Sequence, residues 1–179
     1  MNSNYFRTML SISKNEFNVI GFLIRNFSKK FTIRNIASKI GVSAAGAHAV
    51  LKKLEGNSVV KAERLGTGLF YEINLDNNVA KYLAAISLLK YCDVSGNFEE
   101  LKESKAVVFD GKSLLVISND IDSVKDICYD KFKELKLVCK SEEEFTEALK
   151  GKREVLEILE QGNVIFGEEV VIDCIKRII

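Results

Sequence analysis

The pattern of hydrophobic and polar residues first becomes regular at Ser13. Four apolar residues then recur at spacings of three and four, as on one face of an α-helix: Phe17, Ile20, Ile24 and Phe27. Ser13 and Glu16 have the spacing of a capping box, in which each side chain accepts a hydrogen bond from the other residue's backbone N–H. The pattern predicts a helix that begins at Ser13.

Two more helices are predicted, one on either side of a glycine. Thr32 caps the first, which carries four apolar residues on one side: Ile33, Ile36, Ala37 and Ile40. Gly41 ends this helix, because glycine readily adopts the positive φ that often closes a helix. Ser43 caps the next helix, predicted from Ala44 to Glu55, with four inward residues: Ala47, Val50, Leu51 and Leu54.

A hairpin and a fourth helix follow. Residues 59–65 and 69–75 favour β-strands, and the short segment Gly66-Thr67-Gly68 between them favours a hairpin turn. Asn77 or Asn78 can then cap a helix that runs to about Tyr91. That helix is so apolar that some other surface must cover it.

Beyond the polar segment 92–97, which marks a boundary, strands alternate with helices. Residues 98–103 favour a short helix. Residues 106–109 and 113–118 are apolar almost throughout, which predicts a hairpin with both faces covered, closed by a type I′ turn at Asp110-Gly111. The remaining predicted elements are a helix at 121–135, a strand at 136–140, a helix opened by the capping box Ser141–Glu144, a helix at 152–161, a strand at 163–166 and a helix at 168–179.

These elements predict an α+β chain with two domains. We expect three helices and a hairpin at 1–76, a connecting helix and linker at 77–95, and a small α/β domain at 96–179 whose short sheet is covered by helices. With 179 residues, 47% of them hydrophobic, the chain can fill both cores.

Charge divides the chain in the same way. Residues 1–91 hold 13 Lys and Arg against 5 Asp and Glu, a net charge of +8, whereas residues 92–179 hold 13 against 20, a net charge of −7. A basic half attracts polyanions and an acidic half repels them. The two domains are therefore expected to have different partners.

The segment from Phe31 to Leu54, with its glycine turn, followed by the hairpin up to Leu75, resembles the winged helix-turn-helix of transcription regulators. The resemblance covers about Ser13 to Leu75. It implies a domain that binds double-stranded DNA, with its third helix in the major groove. It also implies a homodimer, because such regulators commonly dimerise through flanking helices.

The resemblance assigns the DNA contacts to the second and third helices and to the hairpin. Residues near the start of the third helix lie closest to base edges, and basic residues elsewhere suit phosphates. The expected set is Arg34, Lys39, Ser43, Ala44, Ala45, Gly46, His48, Lys52, Lys53, Lys61 and Arg64. Replacing Lys52 and Lys53 with alanine is expected to weaken binding on all sequences.

The acidic half weakly resembles the minimal nucleotidyltransferase domain that archaeal proteins sometimes carry behind a winged helix. Active members carry a D-x-D pair that holds magnesium ions at the start of the second strand. Here Gly111 and Ser113 stand at those positions and cannot bind a metal. The expectation is a degenerate domain without catalytic residues, metal or cofactor.

The remaining chemistry-bearing residues have structural explanations. Cys92, Cys128, Cys139 and Cys174 are widely spaced, which favours reduced thiols in or near a core over zinc ligands or disulfides. Asp120 and Asp122 suit a helix cap better than a metal site. No apolar run approaches the roughly 20 residues of a membrane span, and the N-terminus lacks a signal pattern, so we expect a cytoplasmic protein.

The leading expectation is a sequence-specific transcription regulator, with a non-catalytic second domain that senses a ligand, dimerises or recruits a partner. One alternative is a protein-interaction module, such as an antitoxin or adaptor, without salt-linked affinity for DNA. A second alternative is a divergent nucleotidyltransferase.

Overall fold

The computed structural model describes residues 11–89 and 95–179. Tyr91 and the first half of the predicted boundary segment, residues 92–94, lie outside this range. The chain is mixed α+β and divides into two compact units. The first unit comprises residues up to Ile24 together with Lys29–Leu83, and the second comprises Arg25–Ser28 together with Ala84–Ile179.

Three helices begin the first unit: α1 (Lys14–Arg25), α2 (Ile33–Ile40) and α3 (Ala44–Gly56). The predicted caps are confirmed. Glu16 N–H donates to Ser13 Oγ at 3.2 Å, and Ser13 N–H donates to Glu16 Oε2 at 2.6 Å. Thr32 and Ser43 cap α2 and α3 through their hydroxyl oxygens.

The first unit also holds a three-stranded antiparallel sheet: β1 (Phe31–Thr32), β2 (Val60–Leu65) and β3 (Gly68–Ile73), in the order β1-β3-β2. The hairpin β2–β3 is the predicted one. Strand β1 was not predicted, because two residues are too few to show a period. It forms because Phe31 and Thr32 pair with Tyr71 and Phe70.

The core of the first unit lies where the helices meet the sheet. Its buried apolar side chains come from all three helices and from both long strands: Val19, Ile20, Leu23, Ile24, Ile36, Leu51, Leu54, Val60, Tyr71 and Ile73. Five of these ten are residues that the spacing placed inward: Ile20, Ile24, Ile36, Leu51 and Leu54. The opposite side of α3 is left exposed.

Helix α4 (Asn78–Leu88) begins in the first unit and ends in the second. Asn77 caps it, since its Oδ1 accepts hydrogen bonds from Val79 N–H at 2.8 Å and Ala80 N–H at 3.1 Å. Within the second unit, Arg25 donates to the carbonyl oxygens of Ser87 at 2.8 Å and Leu88 at 3.2 Å. A guanidinium at this end complements the negative end of the helix dipole.

The second unit opens with a 3-10 helix (Ser95–Leu101) and alternates strands with helices thereafter. These are β4 (Ala106–Phe109), β5 (Ser113–Ile117), α5 (Ile121–Lys131), β6 (Lys136–Lys140), α6 (Glu142–Ala148), α7 (Arg153–Gln161), β7 (Asn163–Phe166) and α8 (Glu168–Lys176). The sheet order is β6-β5-β4-β7, in which β6 runs parallel to β5 and the other pairs are antiparallel. The helix α5 makes the crossover that a parallel pair requires.

Both faces of this sheet are covered, as the apolar strands predicted. On one face Val107, Leu114 and Val116 pack with the 3-10 helix and α5. On the other face α7 and α8 contact β4, and α7 also contacts β5. All of β5 except Ser113 is buried.

Four local predictions were wrong. A 3-10 helix at Ser95–Leu101 replaces the helix predicted at 98–103. Helix α5 ends at Lys131 rather than 135, and α8 ends at Lys176 rather than 179. The β4–β5 turn is not type I′, because that turn needs positive φ at both central residues and only Gly111 (φ 95°) has it. The Asp110 side chain instead accepts hydrogen bonds from the backbone N–H groups of Lys112 and Ser113.

Within the two described ranges, no helix combines the length and the apolar character that crossing a bilayer would require.

Candidate nucleic-acid interface

A three-residue turn connects α2 to α3. Gly41 closes α2 with φ 73°, and its N–H donates to the Ala37 carbonyl oxygen. Val42 N–H donates to the same oxygen at 3.0 Å. Ser43 Oγ then accepts from Gly46 N–H at 3.1 Å, so the start of α3 is held by hydrogen bonds on both sides of the turn.

The exposed face of α3 carries small side chains near its start and charged ones toward its end. Ser43 and eight helix residues are exposed: Ala44, Ala45, His48, Ala49, Lys52, Lys53, Glu55 and Gly56. Gly46 is partly buried, and a Cβ at this position would lie 3.2 Å from Ser43 Oγ. The start of this face therefore presents methyl groups and one imidazole, with little bulk to keep another surface away from the helix, while Lys52, Lys53 and Glu55 place charges toward its end.

Lys52 and Lys53 are placed differently although they are neighbours. Successive helix residues are about 100° apart around the axis, which puts Lys52 amid the exposed face and Lys53 at its edge. The Nζ atom of Lys53 lies 2.6 Å from Glu16 Oε1, and the Glu16 side chain is only 2% exposed. Lys53 is therefore held by a carboxylate on α1.

The ion pair is reflected in the pKa of Glu16. Burial is the largest single influence and by itself would raise this pKa. The hydrogen bond from Lys53, the hydrogen bonds from Ser13 and the charge of Lys53 together outweigh burial, so the pKa lies below its ordinary value. Glu16 is thus a buried, ionised group with its charge balanced.

Arg34 and Lys39 lie on α2, near its start and its end, and both side chains are exposed. No hydrogen bond or ion pair joins either of them to a residue in the described part of the chain. Both remain available to anionic groups.

The hairpin does not bring its two predicted contacts together. Side chains alternate along a strand, so Lys61 and Arg64 project from opposite faces of β2. Lys61 shares its face with Glu63 and pairs with Asp76 at 2.8 Å, while Glu63 pairs with Lys30. Arg64 is exposed beside the glycine turn and has no ion pair with a described residue.

In the second unit, the residues that the sequence analysis weighed as metal ligands have structural roles. Asp120 caps α5 by accepting from Ser123 N–H at 3.1 Å and Ser123 O–H at 2.7 Å, and these hydrogen bonds lower its pKa. Gly111 lies in the β4–β5 turn and Ser113 is the first residue of β5. Across residues 11–89 and 95–179, no group of three or more His, Cys, Asp or Glu is arranged to hold a metal ion.

The described cysteines are free thiols. Cys128 and Cys174 are buried and Cys139 is partly buried, whereas Cys92 lies outside the described residues. Burial, with a smaller contribution from Cys139, raises the pKa of Cys128 to about 11. A thiol with so high a pKa is a poor nucleophile at neutral pH.

Sequence reasoning missed the partners of the basic residues. It assigned Glu16 to the cap alone, although its second oxygen balances Lys53. It also missed Glu142, which pairs with Lys105 at 2.7 Å and with Arg177 at 2.8 Å. A helical projection of α3 would have put Lys53 at the edge of the exposed face, but no sequence signal identifies a partner 37 residues away.

No protein-family model matches this chain, and no curated protein matches it either. What the exposed face of α3 can bind is therefore inferred from its residues and their surroundings.

Proposed function

We propose that the first unit is a winged-helix domain that binds double-stranded DNA with α3 in the major groove. The single observation that carries this proposal is the exposed face of α3, where small residues surround His48 and Lys52 while the opposite side is buried in the core. The short turn from α2 and the hairpin directly after α3 are the further features that support it.

In this proposal the start of α3 approaches the base edges. Ala44, Ala45 and Ala49 offer methyl groups that can contact thymine methyls, and His48 can hydrogen-bond a base or a phosphate. Ser43 and Gly46 allow the backbone to come close. Arg34, Lys39, Lys52 and Arg64 supply cationic groups for phosphates, so affinity should fall steeply with salt because counterions are released.

The whole chain is proposed to be a cytoplasmic transcription regulator that acts as a homodimer. Its second unit is proposed to be non-catalytic and to sense a ligand, dimerise or recruit a partner. The structural roles of Asp120, Gly111 and Ser113 support this, as does the high pKa of the Cys128 thiol.

The direct test mixes the purified protein with sheared DNA from its own source and sequences the fragments that are retained at moderate salt. Enrichment of a few related sites is expected, and two-fold symmetry in them would indicate a dimer. Uniform retention, or none, would contradict sequence-specific recognition.

Two lysines provide a matched pair for the same experiment. The Lys52→Met substitution should weaken binding on every sequence and lower the salt slope by about one unit. Lys61→Met should have a smaller effect, because Asp76 already holds its ammonium on the other face of the hairpin from Arg64. If the two substitutions weaken binding equally, the proposed docking of α3 is wrong.

The intramolecular ion pairs favour a second candidate. Lys30, Lys53 and Lys61 each pair with a carboxylate of the same unit, which reduces the positive potential that a polyanion would meet. A protein-interaction module would tolerate this well. It would show no salt-linked affinity for DNA, so the salt titration separates the two functions.

A further inference from the structure

Glu16 is a buried carboxylate with two different partners. Its Oε2 accepts from Ser13 N–H at 2.6 Å, which completes the cap of α1. Its Oε1 lies 2.6 Å from Lys53 Nζ, beside a small cavity also lined by Leu54 and Val59. The cap needs only one oxygen, so the contact with Lys53 requires a separate explanation.

Lys53 is placed where it could serve either of two surfaces. Its side chain is 46% exposed, and it lies at the edge of the α3 face that holds Lys52. A lysine side chain has a long flexible stem and a charge that can reach in several directions. In the structure the ammonium is turned toward α1, whereas no described carboxylate holds the neighbouring Lys52.

We propose that Glu16 is a positioning residue that withholds Lys53 from nucleic acid and so limits the number of phosphate contacts that α3 makes. This inference rests on the proposed DNA-binding function. Phosphate contacts add affinity on every sequence and carry no sequence information directly. Removing one from the interface lowers affinity for every sequence and leaves discrimination between sites unchanged, so the effect is on overall affinity and on its salt dependence.

The test is a salt titration of the full chain with a labelled duplex of random sequence, about 20 base pairs or two helical turns long. Glu16→Gln keeps an oxygen for the Ser13 N–H and removes the charge that holds Lys53. We expect the slope of log affinity against log salt to steepen by about 0.9. The ratio of affinities at about 50 mM and about 200 mM salt should then rise by roughly 3.5-fold.

Two controls separate a released lysine from a general loss of negative charge. Glu55→Gln makes the same charge change on α3, where no described residue forms an ion pair with Glu55, and it should leave the slope unchanged. Glu16→Gln in a Lys53→Met background should also leave the slope unchanged, because no lysine is then released. If Glu16→Gln steepens the slope equally in the wild-type chain and in the Lys53→Met variant, the inference is wrong.

The remaining outcomes are also decisive. If the wild-type chain binds DNA and Glu16→Gln leaves its slope unaltered, the inference is wrong while the proposed function stands. If the wild-type chain binds no DNA at any salt concentration, the proposed function itself fails. Should Glu16→Gln not fold, Lys53→Met alone decides: an unchanged slope is expected, and a slope shallower by about 0.9 would show that Lys53 already contacts phosphate.

Discussion

At the scale of single residues, the ion pair between Glu16 and Lys53 links the stability of the first unit to pH. The pKa of Glu16 in the folded chain lies below its ordinary value of 4.5, because Lys53 and Ser13 outweigh the effect of burial. A carboxylate whose pKa is lowered by folding contributes stability above its unfolded pKa. That contribution is lost as pH falls through the folded pKa.

Lys53→Met should destabilise the chain by roughly 1–3 kcal/mol at neutral pH, because it leaves a buried carboxylate without its charged partner. Lys52→Met is the matched control and should change stability by no more than about 0.5 kcal/mol, since Lys52 is exposed. Chemical denaturation of the two variants beside the wild-type chain measures both differences.

Comparing the stabilities of the wild-type chain and the Lys53→Met variant also tests the pH dependence. The difference between the wild-type chain and Lys53→Met should shrink as pH falls below 4.5, because a protonated Glu16 has no charge for Lys53 to balance. If Lys52→Met and Lys53→Met lower the free energy of unfolding equally at neutral pH, the ion pair contributes nothing to the stability of the fold.

At the scale of elements, capping side chains decide where most helices begin. Ser13, Thr32, Ser43, Asn77 and Ser141 each accept a hydrogen bond from a backbone N–H in the first turn of the helix that follows. Helix ends were harder to predict, as α5 and α8 show. A helix ends where its backbone meets competing tertiary contacts, which spacing does not reveal.

The connection from β7 to α8 depends on a glycine for two reasons. Gly167 has φ 77°, which disfavours any side chain, and a Cβ there would lie 2.1 Å from the Lys105 carbonyl oxygen and 2.6 Å from Ala106 Cα. The backbone at Gly167, the residue before α8, thus packs directly against the start of β4.

Gly167→Ala should therefore destabilise the second unit by more than about 3 kcal/mol, since both strain and a backbone clash oppose it. Gly111→Ala is the control in the same unit. Gly111 also has positive φ, at 95°, but a Cβ there would meet nothing within 4 Å, so only strain of roughly 1–2 kcal/mol is expected. Thermal unfolding of both variants shows which substitution costs more stability. If Gly111→Ala costs as much stability as Gly167→Ala, the prediction is wrong.

At the scale of the whole molecule, α4 runs from the first compact unit into the second. The sequence predicted that another surface must cover this apolar helix. Three large apolar side chains remain exposed: Tyr82 (59%) and Ile86 (54%) on the helix, and Leu89 (37%) directly after its end. They are spaced by four and three residues, so they share one side of a helical projection. The proposed homodimer would cover them.

Replacing Tyr82 and Ile86 with serine should weaken self-association of the full chain by at least about tenfold, because each buried aromatic or aliphatic side chain contributes roughly 1.5–3 kcal/mol. Sedimentation equilibrium measures the change. Tyr129→Ser removes a side chain that is 80% exposed on α5 and serves as the control. Identical self-association in the double variant and in the control would exclude α4 as the dimer interface.

The sequence by itself determined the elements that depend on neighbouring residues. The first turns of the helices followed from Ser, Thr and Asn side chains close to the backbone groups they cap. The hairpins and the buried strands followed from period and from apolar runs, and the exposed side of α3 followed from helical spacing. Each of these depends on contacts within a few positions, where spacing along the chain is a good measure of distance in space.

Only the tertiary structure decided which charges are free. Lys53 meets Glu16 and Lys61 meets Asp76, whereas Lys52, Arg34 and Arg64 have no ion-pair partner within the described part of the chain. Strand β1 likewise exists only because β3 lies beside it. Partners far apart in sequence are brought together by packing of the core, and no local pattern records which lysine will find a carboxylate.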